Sequence, residues 1–149
     1  MEPTFRVFIF VNRSRHDVFE AVADPKELSS YFTTGGASAR LEQGQTVTWD
    51  FADFPGAFPV EVTEVVPDEK IVFDWQVNEE NADYAIRVTM RFSDVDGDRT
   101  KVEIEEAGYR DTEAAVTASY GNCMGWAQML AALKMWVEHR INLREGAYK

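Results

Sequence analysis

The sequence has few of the residues from which disulfides and metal sites are built. It contains one cysteine, Cys123, and two histidines, His16 and His139, among 149 residues. A single cysteine cannot form an intrachain disulfide, which favours a reducing compartment. A structural zinc site needs about four clustered ligands, and no GxGxxG, P-loop or GxSxG motif is present. We therefore expect no metal and no cofactor.

Long apolar runs and an excess of basic charge are also missing. The N-terminal apolar run FIFV lies between Arg6 and Arg13 and is too short for a signal sequence or a membrane span. Fifteen basic residues stand against 26 acidic ones, a formal net charge of −11. Such a field repels phosphate backbones and anionic membrane surfaces. We expect a soluble, cytoplasmic protein with neither a nucleic-acid nor a membrane partner.

What is present is enough apolar material for one globular domain. Of the 149 residues 45% are apolar, and we predict a single domain over residues 1–149. Residues 4–12 are rich in β-branched and aromatic side chains and predict a first strand. Ser14 is a suitable N-cap for a helix that ends at Asp24, and Pro25 opens a second short helix over residues 25–32.

Alternation of apolar and polar residues predicts an antiparallel sheet, since each strand then has one covered face and one wet face. In the last hairpin, a three-residue loop Asp96–Asp98 places Arg91 opposite Glu103 and Phe92 opposite Val102. Five further strands are predicted, at residues 45–51, 58–66, 70–77, 84–92 and 100–106.

The last third of the chain predicts a long amphipathic helix that is capped by Asp111 or Thr112. Gly121 leaves two alternatives, one helix or two segments at 112–120 and 122–144. Gly125 disfavours the helix by about 1 kcal/mol relative to Ala, and a close approach of the backbone to the sheet or to a ligand would explain it. The predicted apolar stripe consists of Cys123, Trp126, Ala127, Leu130, Leu133, Val137 and Ile141.

Two motifs in this order carry a resemblance to a known superfamily. They are DVFEAVADPKEL at residues 17–28 and Gly125-Trp126 followed by Leu130 and Leu133. The chain resembles the SRPBCC superfamily of START-like, helix-grip domains over nearly its whole length. Within it, the chain is similar to the branch related to the C-terminal domain of the activator of heat-shock protein 90 ATPase. The resemblance implies an α+β fold: a curved antiparallel sheet of six to seven strands, two short N-terminal helices and one long C-terminal helix across the sheet.

The resemblance also implies an apolar cavity between the sheet and the long helix, and three hypotheses for function. The first is non-enzymatic binding of a small apolar or aromatic ligand. The second is a cochaperone-like interaction module of the stress response with a filled core, whose partner is a chaperone or a second copy of the chain. The third is a polyketide cyclase-type enzyme. The residues expected to line the ligand site are Trp49, Phe51, Phe73, Trp75, Tyr84, Met90, Trp126, Met129, Leu130 and Leu133.

Acid–base candidates are scattered, and no constellation typical of an enzyme emerges, so we favour binding over catalysis. Alternation puts Asp50 and Asp74 on the wet face and puts Glu64 and Glu106 nominally on the apolar face. Tyr84 and Tyr120 could point a hydroxyl inward, and the cyclase hypothesis relies on Tyr84 or Glu64. A polar group with a shifted pKa at cavity depth would favour that hypothesis.

The apolar segment FADFPGAFP, residues 51–59, has three interpretations. We favour a hydrophobic loop that is tucked onto the first helices. A lid over the cavity mouth and a contact patch for a protein partner are the alternatives.

Overall fold

The fold is an open seven-stranded antiparallel sheet with helices against one face. The computed structural model describes all 149 residues. The sheet order is β1-β7-β6-β5-β4-β3-β2, and this architecture confirms the predicted α+β helix-grip fold. The elements are β1 Phe5–Val11, α1 Arg15–Ala23, α2 Pro25–Ser29, β2 Gly36–Ala37, β3 Thr46–Asp50, β4 Phe58–Val66, β5 Lys70–Gln76, β6 Ala85–Asp94, β7 Thr100–Ala107 and α3 Glu113–His139.

The helices begin where capping side chains are available. Ser14 Oγ accepts a hydrogen bond from the Asp17 N–H at 3.2 Å, and Thr112 caps α3 in the same way. The second helix is shorter than predicted and ends at Ser29. It ends early because the chain tightens into a turn, in which the N–H groups of residues 31–33 all donate to the Leu28 carbonyl. None of the helices is long and apolar enough to cross a membrane.

Strand pairing follows the alternation in the sequence. In the β6–β7 hairpin Arg91 faces Glu103 and Phe92 faces Val102, as predicted. A slip of one residue would bring charged side chains to the buried face of the sheet. The hydrophobic pattern therefore sets the register of this hairpin.

One predicted inward residue, Glu64, is turned out by a β-bulge in β4. The pairing with β5 shifts between Val62 and Glu64, so that Val65 lies opposite Ile71. Val65 packs against the core in place of Glu64, and the Glu64 carboxylate pairs with Lys70. Simple alternation placed Glu64 on the apolar face, and this prediction was wrong because a bulge inverts the faces beyond it.

The helix α3 runs without interruption through Gly121, which settles the choice between one helix and two. The sequence predicted an end at residue 144, but the helix ends at His139. It ends there because Arg140 adopts a left-handed conformation with φ 57°. The Arg140 guanidinium lies 2.8 Å from a Glu27 carboxylate oxygen, and the Trp136 indole N–H donates to the same oxygen at 2.6 Å. These contacts attach the end of α3 to α2.

The early end of α3 changes the predicted apolar stripe. Ile141 lies beyond the helix and is 55% exposed, and Ala127 is exposed on the outer face of α3. Met129, which was expected to face inward beside this stripe, is buried, and Ala132 is buried in addition.

The second half of α3 packs on the sheet without leaving space. Its buried side chains belong to one cluster of 27 buried residues that includes the inner faces of β5, β6 and β7. The first two turns of α3 contribute Ala115 and Ala118 to a separate buried cluster around Tyr109. The centre of the molecule is therefore a filled core.

This filled core can be tested with one truncation. Leu133 is fully buried, so Leu133→Ala should lower the free energy of unfolding by about 2–5 kcal/mol. Met124 on the same helix is 61% exposed, and Met124→Ala should change stability by less than about 0.5 kcal/mol. Urea unfolding of both variants measures the difference, and equal stabilities would contradict a filled centre.

Candidate ligand-binding site

A cavity of about 400 Å³ lies at one end of the molecule, beside residues 121–128 of α3. This volume is near the lower end of the range of small-molecule pockets. It is bounded by α3, the end of β5, the segment that follows β3 and the C-terminal segment. Six of its lining residues are aromatic: Phe32, Phe51, Phe54, Trp75, Trp126 and Tyr148.

The aromatic rings form a connected wall. The Trp126 ring lies 5.2 Å from Trp75 and 5.6 Å from Phe32, between centroids. Phe51 lies 5.0 Å from Phe32 in an edge-to-face arrangement. These separations are within the range in which aromatic pairs attract each other. The wall presents ring surface to whatever enters the cavity.

Two glycines of α3, Gly121 and Gly125, line the cavity one helical turn apart. A Cβ atom built on either glycine would have no atom of the remainder of the protein within 4 Å. The backbone of α3 therefore does not approach the sheet closely at Gly125. The missing side chains leave space on the cavity side of the helix.

A buried carboxylate, Glu106 of β7, fixes the inner end of this wall. Its Oε2 accepts a hydrogen bond from the Trp126 indole N–H at 2.7 Å. Its Oε1 accepts one from Asn122 Nδ2 at 2.8 Å and another from the Tyr109 hydroxyl. Glu106 is fully buried, but it does not itself line the cavity.

Burial raises the pKa of Glu106, and it outweighs the donors that stabilise the charged form, Tyr109, Trp126, Asn122 and Trp75. The Trp75 indole N–H is buried and has no hydrogen-bond partner. Burial also raises the pKa of Tyr109, and the adjacent carboxylate raises it further. Glu106 thus positions Trp126 and Asn122, and the Trp75 N–H faces it.

An ion pair closes the other side of the cavity. Arg144 Nε lies 3.1 Å from Asp53 Oδ2, and both side chains are nearly buried. The Arg144 guanidinium also lies over the Phe51 ring, 4.8 Å from its centroid. This pair joins the C-terminal segment to the segment that follows β3.

The segment at residues 51–57 combines features of its predicted interpretations. Phe51 packs on Phe32, just beyond α2, and the Asp50 carboxylate accepts hydrogen bonds from the N–H groups of Phe51 and Gly56 at 2.9 Å. Phe54 is 59% exposed and lies at the cavity mouth. The start of the segment, at Phe51, is therefore packed against the protein, and its tip, at Phe54, is exposed to solvent.

The structure brings only some of the predicted ligand-binding residues together. Phe51, Trp75 and Trp126 line the cavity. Tyr84 lies elsewhere: its hydroxyl donates to Glu79 at 2.9 Å, and Arg110 covers its ring. The other six belong to the filled core: Trp49, Phe73, Met90, Met129, Leu130 and Leu133.

Several lining residues were not predicted, and the sequence held a signal for only some of them. The Gly121 and Gly125 pair at helical spacing marks the face of α3 that borders a space. Phe32, Arg144 and Tyr148 reach the cavity through turns that alternation does not predict.

The remaining chemical candidates do not meet at the cavity. Asp74 pairs with Arg87 at 2.8 Å on the outer face of the sheet, and Tyr120 is 72% exposed. Cys123 is half-buried and forms no disulfide. No group of three or more His, Cys, Asp or Glu residues is arranged to hold a metal ion.

An antiparallel sheet with a long C-terminal helix across one of its faces defines a helix-grip domain. The family model described as Activator of Hsp90 ATPase homolog 1-like protein matches residues 12–138. The chain belongs to this family. Among curated proteins, none matches the sequence significantly.

Solved structures share the fold over almost the whole chain. Protein SSP2350 from Staphylococcus saprophyticus is 25% identical, with a TM-score of 0.80 over 95% of this chain and 96% of that one. The Aha1 dimer from Colwellia psychrerythraea is 18% identical, with a TM-score of 0.74 over 92% and 97%. CalU16 from Micromonospora echinospora is 17% identical, with a TM-score of 0.72 over 94% and 77%.

The raised pKa of Glu106 predicts a pH dependence of stability. Above its ordinary value of 4.5, the folded protein keeps a proton that the unfolded chain has released. The contribution of Glu106 to the free energy of unfolding therefore falls as the pH rises from 4.5 to the raised pKa. The stability difference between wild type and Glu106→Gln should shrink over that window, as measured by urea unfolding between about pH 3 and 8.

Glu138→Gln is a control of opposite sign. Burial raises the pKa of Glu138, but hydrogen bonds from the Asn12 N–H and from Lys134 outweigh burial and lower it overall. Its contribution is complete above the ordinary value of 4.5 and is lost as the pH falls through the lowered pKa. A wild-type-to-Glu106→Gln difference that stays constant above pH 4.5 would contradict the assignment for Glu106.

Proposed function

We propose that the protein binds a small, apolar or aromatic molecule in the cavity beside residues 121–128 of α3, without altering it chemically. The observation that carries this proposal is the pair Gly121 and Gly125. Each disfavours the helix by about 1 kcal/mol relative to Ala. Neither is needed to avoid a clash, because the Cβ positions are open. Their effect is to keep space beside a wall of aromatic rings.

The position of the cavity narrows the proposal. The second half of α3 and the inner face of the sheet are packed together, so the ligand site is at one end of the grip and not along its length. Of the predicted lining residues, we therefore retain Phe51, Trp75 and Trp126 as ligand contacts. The other predicted residues support them from the core or, for Tyr84, lie apart.

A cyclase-type reaction receives less support from the geometry. Glu106 is a buried polar group with a raised pKa, and a group of this kind at the cavity would favour that hypothesis. Both of its oxygens accept hydrogen bonds from side chains, however, and it does not line the cavity. Glu64 and Tyr84 lie away from the cavity. We assign Glu106 a positioning role.

Filling the glycine sites should separate stability from binding. Gly125→Ala should raise the free energy of unfolding by about 0.5–1 kcal/mol, because Ala favours the helix and the site is open. The same methyl group should weaken binding of the aromatic, amphiphilic fluorophore 8-anilinonaphthalene-1-sulfonate, because the methyl group enters the cavity. Urea unfolding and fluorescence titration measure the two effects.

Thr117→Ala is the matched control, since Thr117 is exposed on α3 and lies outside the cavity. It should raise helix stability by a similar mechanism and leave the titration unchanged. Unaltered binding by Gly125→Ala, or fluorophore binding by neither protein, would count against the proposed site.

A protein-interaction module is the second candidate, and the rim of the cavity is the observation that favours it. Phe54 and Met124 line the cavity and expose 59% and 61% of their surface. Exposed apolar groups of this kind mark contact sites more often when they cluster. The family description and the dimeric structure from Colwellia psychrerythraea are consistent with a chaperone or a second copy as the partner.

Self-association through the rim predicts a mass that doubles with concentration. Sedimentation equilibrium should then show a dimer for wild type and a monomer for the variant Phe54→Ser/Met124→Ser, because apolar contact area is lost. A wild-type monomer at all concentrations would exclude the second copy and leave other proteins as partners.

A further inference from the structure

Four polar side chains line the cavity with the aromatic rings: Asn78, Asn122, Gln128 and Arg144. Of these, Asn122 and Arg144 define the chemistry of the ligand more closely than the aromatic wall does. None of the lining residues is Asp or Glu, although the chain has 26 acidic residues. The lining therefore differs in charge from the rest of the protein surface.

Glu106 decides which way the Asn122 amide points. Asn122 Nδ2 donates a hydrogen bond to its Oε1 at 2.8 Å. The amide nitrogen must therefore face Glu106, and the amide oxygen Oδ1 must face away. Oδ1 has no hydrogen-bond partner in the protein. It is not fully buried either, since the buried side-chain atoms without a partner are Trp49 Nε1, Trp75 Nε1 and Asp53 Oδ2. It is an accessible acceptor in the wall.

Arg144 supplies the complementary group. Its Nε and Nη2 atoms contact Asp53, and Nη1 has no hydrogen-bond partner in the protein. The guanidinium is held in place by this ion pair and by the Phe51 and Tyr148 rings beneath it. A guanidinium with free N–H groups binds carboxylates through charge-assisted hydrogen bonds.

We infer that the ligand is a planar aromatic molecule that carries both a hydrogen-bond donor, for Asn122 Oδ1, and a carboxylate or similar anionic group, for Arg144 Nη1. The adjoining rings of Trp75 and Trp126, 5.2 Å apart between centroids, pack against one of its faces. A phenolic or N–H group and an acidic group at its edge meet the two polar side chains. This inference rests on the proposed function and names the class of ligand for the same site.

Four naphthalenes separate the two contacts without altering the protein. They are 6-hydroxy-2-naphthoate, 6-methoxy-2-naphthoate, 2-naphthol and 2-methylnaphthalene. Methylation of the hydroxyl removes the donor and should weaken binding about fivefold, the effect of one neutral hydrogen bond. Loss of the carboxylate should weaken it about tenfold or more, because that contact is charge-assisted. Isothermal titration calorimetry measures the four affinities.

Indole N–H signals in a ¹H–¹⁵N spectrum show where the probes bind. Trp75 and Trp126 line the cavity, whereas the Trp136 N–H is bonded to Glu27 outside it. The signals of Trp75 and Trp126 should shift, and that of Trp136 should not. Asn122→Leu should abolish the preference for hydroxyl over methoxy and keep the preference for the carboxylate, and Arg144→Lys should weaken only the latter.

The outcomes distinguish the inference from the proposal on which it rests. Equal affinities for all four probes, with shifted Trp75 and Trp126 signals, would overturn the inferred ligand class and leave small-molecule binding standing. Absence of binding and of signal shifts for all four would overturn both. A hydroxyl preference that survives Asn122→Leu would show that another group accepts that hydrogen bond.

Discussion

The architecture around the cavity depends on one buried carboxylate. Glu106 receives hydrogen bonds from Trp126 and Asn122 of α3 and from Tyr109 in the connection between β7 and α3. An unpaired carboxylate at this depth would be strongly destabilising, because burial disfavours its charge. The three donors offset the cost of burying the Glu106 carboxylate. Because two of them, Trp126 and Asn122, belong to α3, the same hydrogen bonds fix the rotation of α3 about its own axis. The aromatic wall, the exposed amide oxygen and the face that carries both glycines all follow from that rotation.

Along α3 the same helix serves different purposes in successive stretches. The buried side chains between residues 129 and 137 are all apolar and belong to the core on the sheet. The stretch at 121–128 contains both glycines and faces the cavity. The helix therefore leaves space beside residues 121–128, where both glycines lack side chains, and fills the space above the sheet with apolar side chains further along. A rigid core beside an open end holds the Trp75 and Trp126 rings in fixed positions, which reduces the entropy that a ligand would lose on binding.

Much of the fold was predictable because it depends on periodic patterns. Alternation gave the strands and the register of the last hairpin, and the caps at Ser14 and Thr112 gave helix starts. The bulge at Glu64 and the left-handed Arg140 were not predictable, since each depends on tertiary contacts of a single residue. The cavity was placed too centrally for a related reason: sequence identifies which side chains are apolar, but the space between them depends on how they pack. Glu106, a charged residue on an apolar face, was the signal that pointed closest to the site.

Several groups at the cavity are poor choices for stability alone. Two glycines lie in a helix at positions that would accept alanine, the Trp75 N–H is buried without a bonded acceptor, and burial raises the pKa of Glu106. Substitutions that improve stability at such sites are usually available. Residues that are unfavourable for stability are retained where function needs them. The two glycines and Trp75 line one cavity, and Glu106 lies behind its wall, bonded to the lining residues Asn122 and Trp126. That concentration is what the proposed binding function requires, because a packing defect would give no reason for an oriented amide and a guanidinium to lie around it.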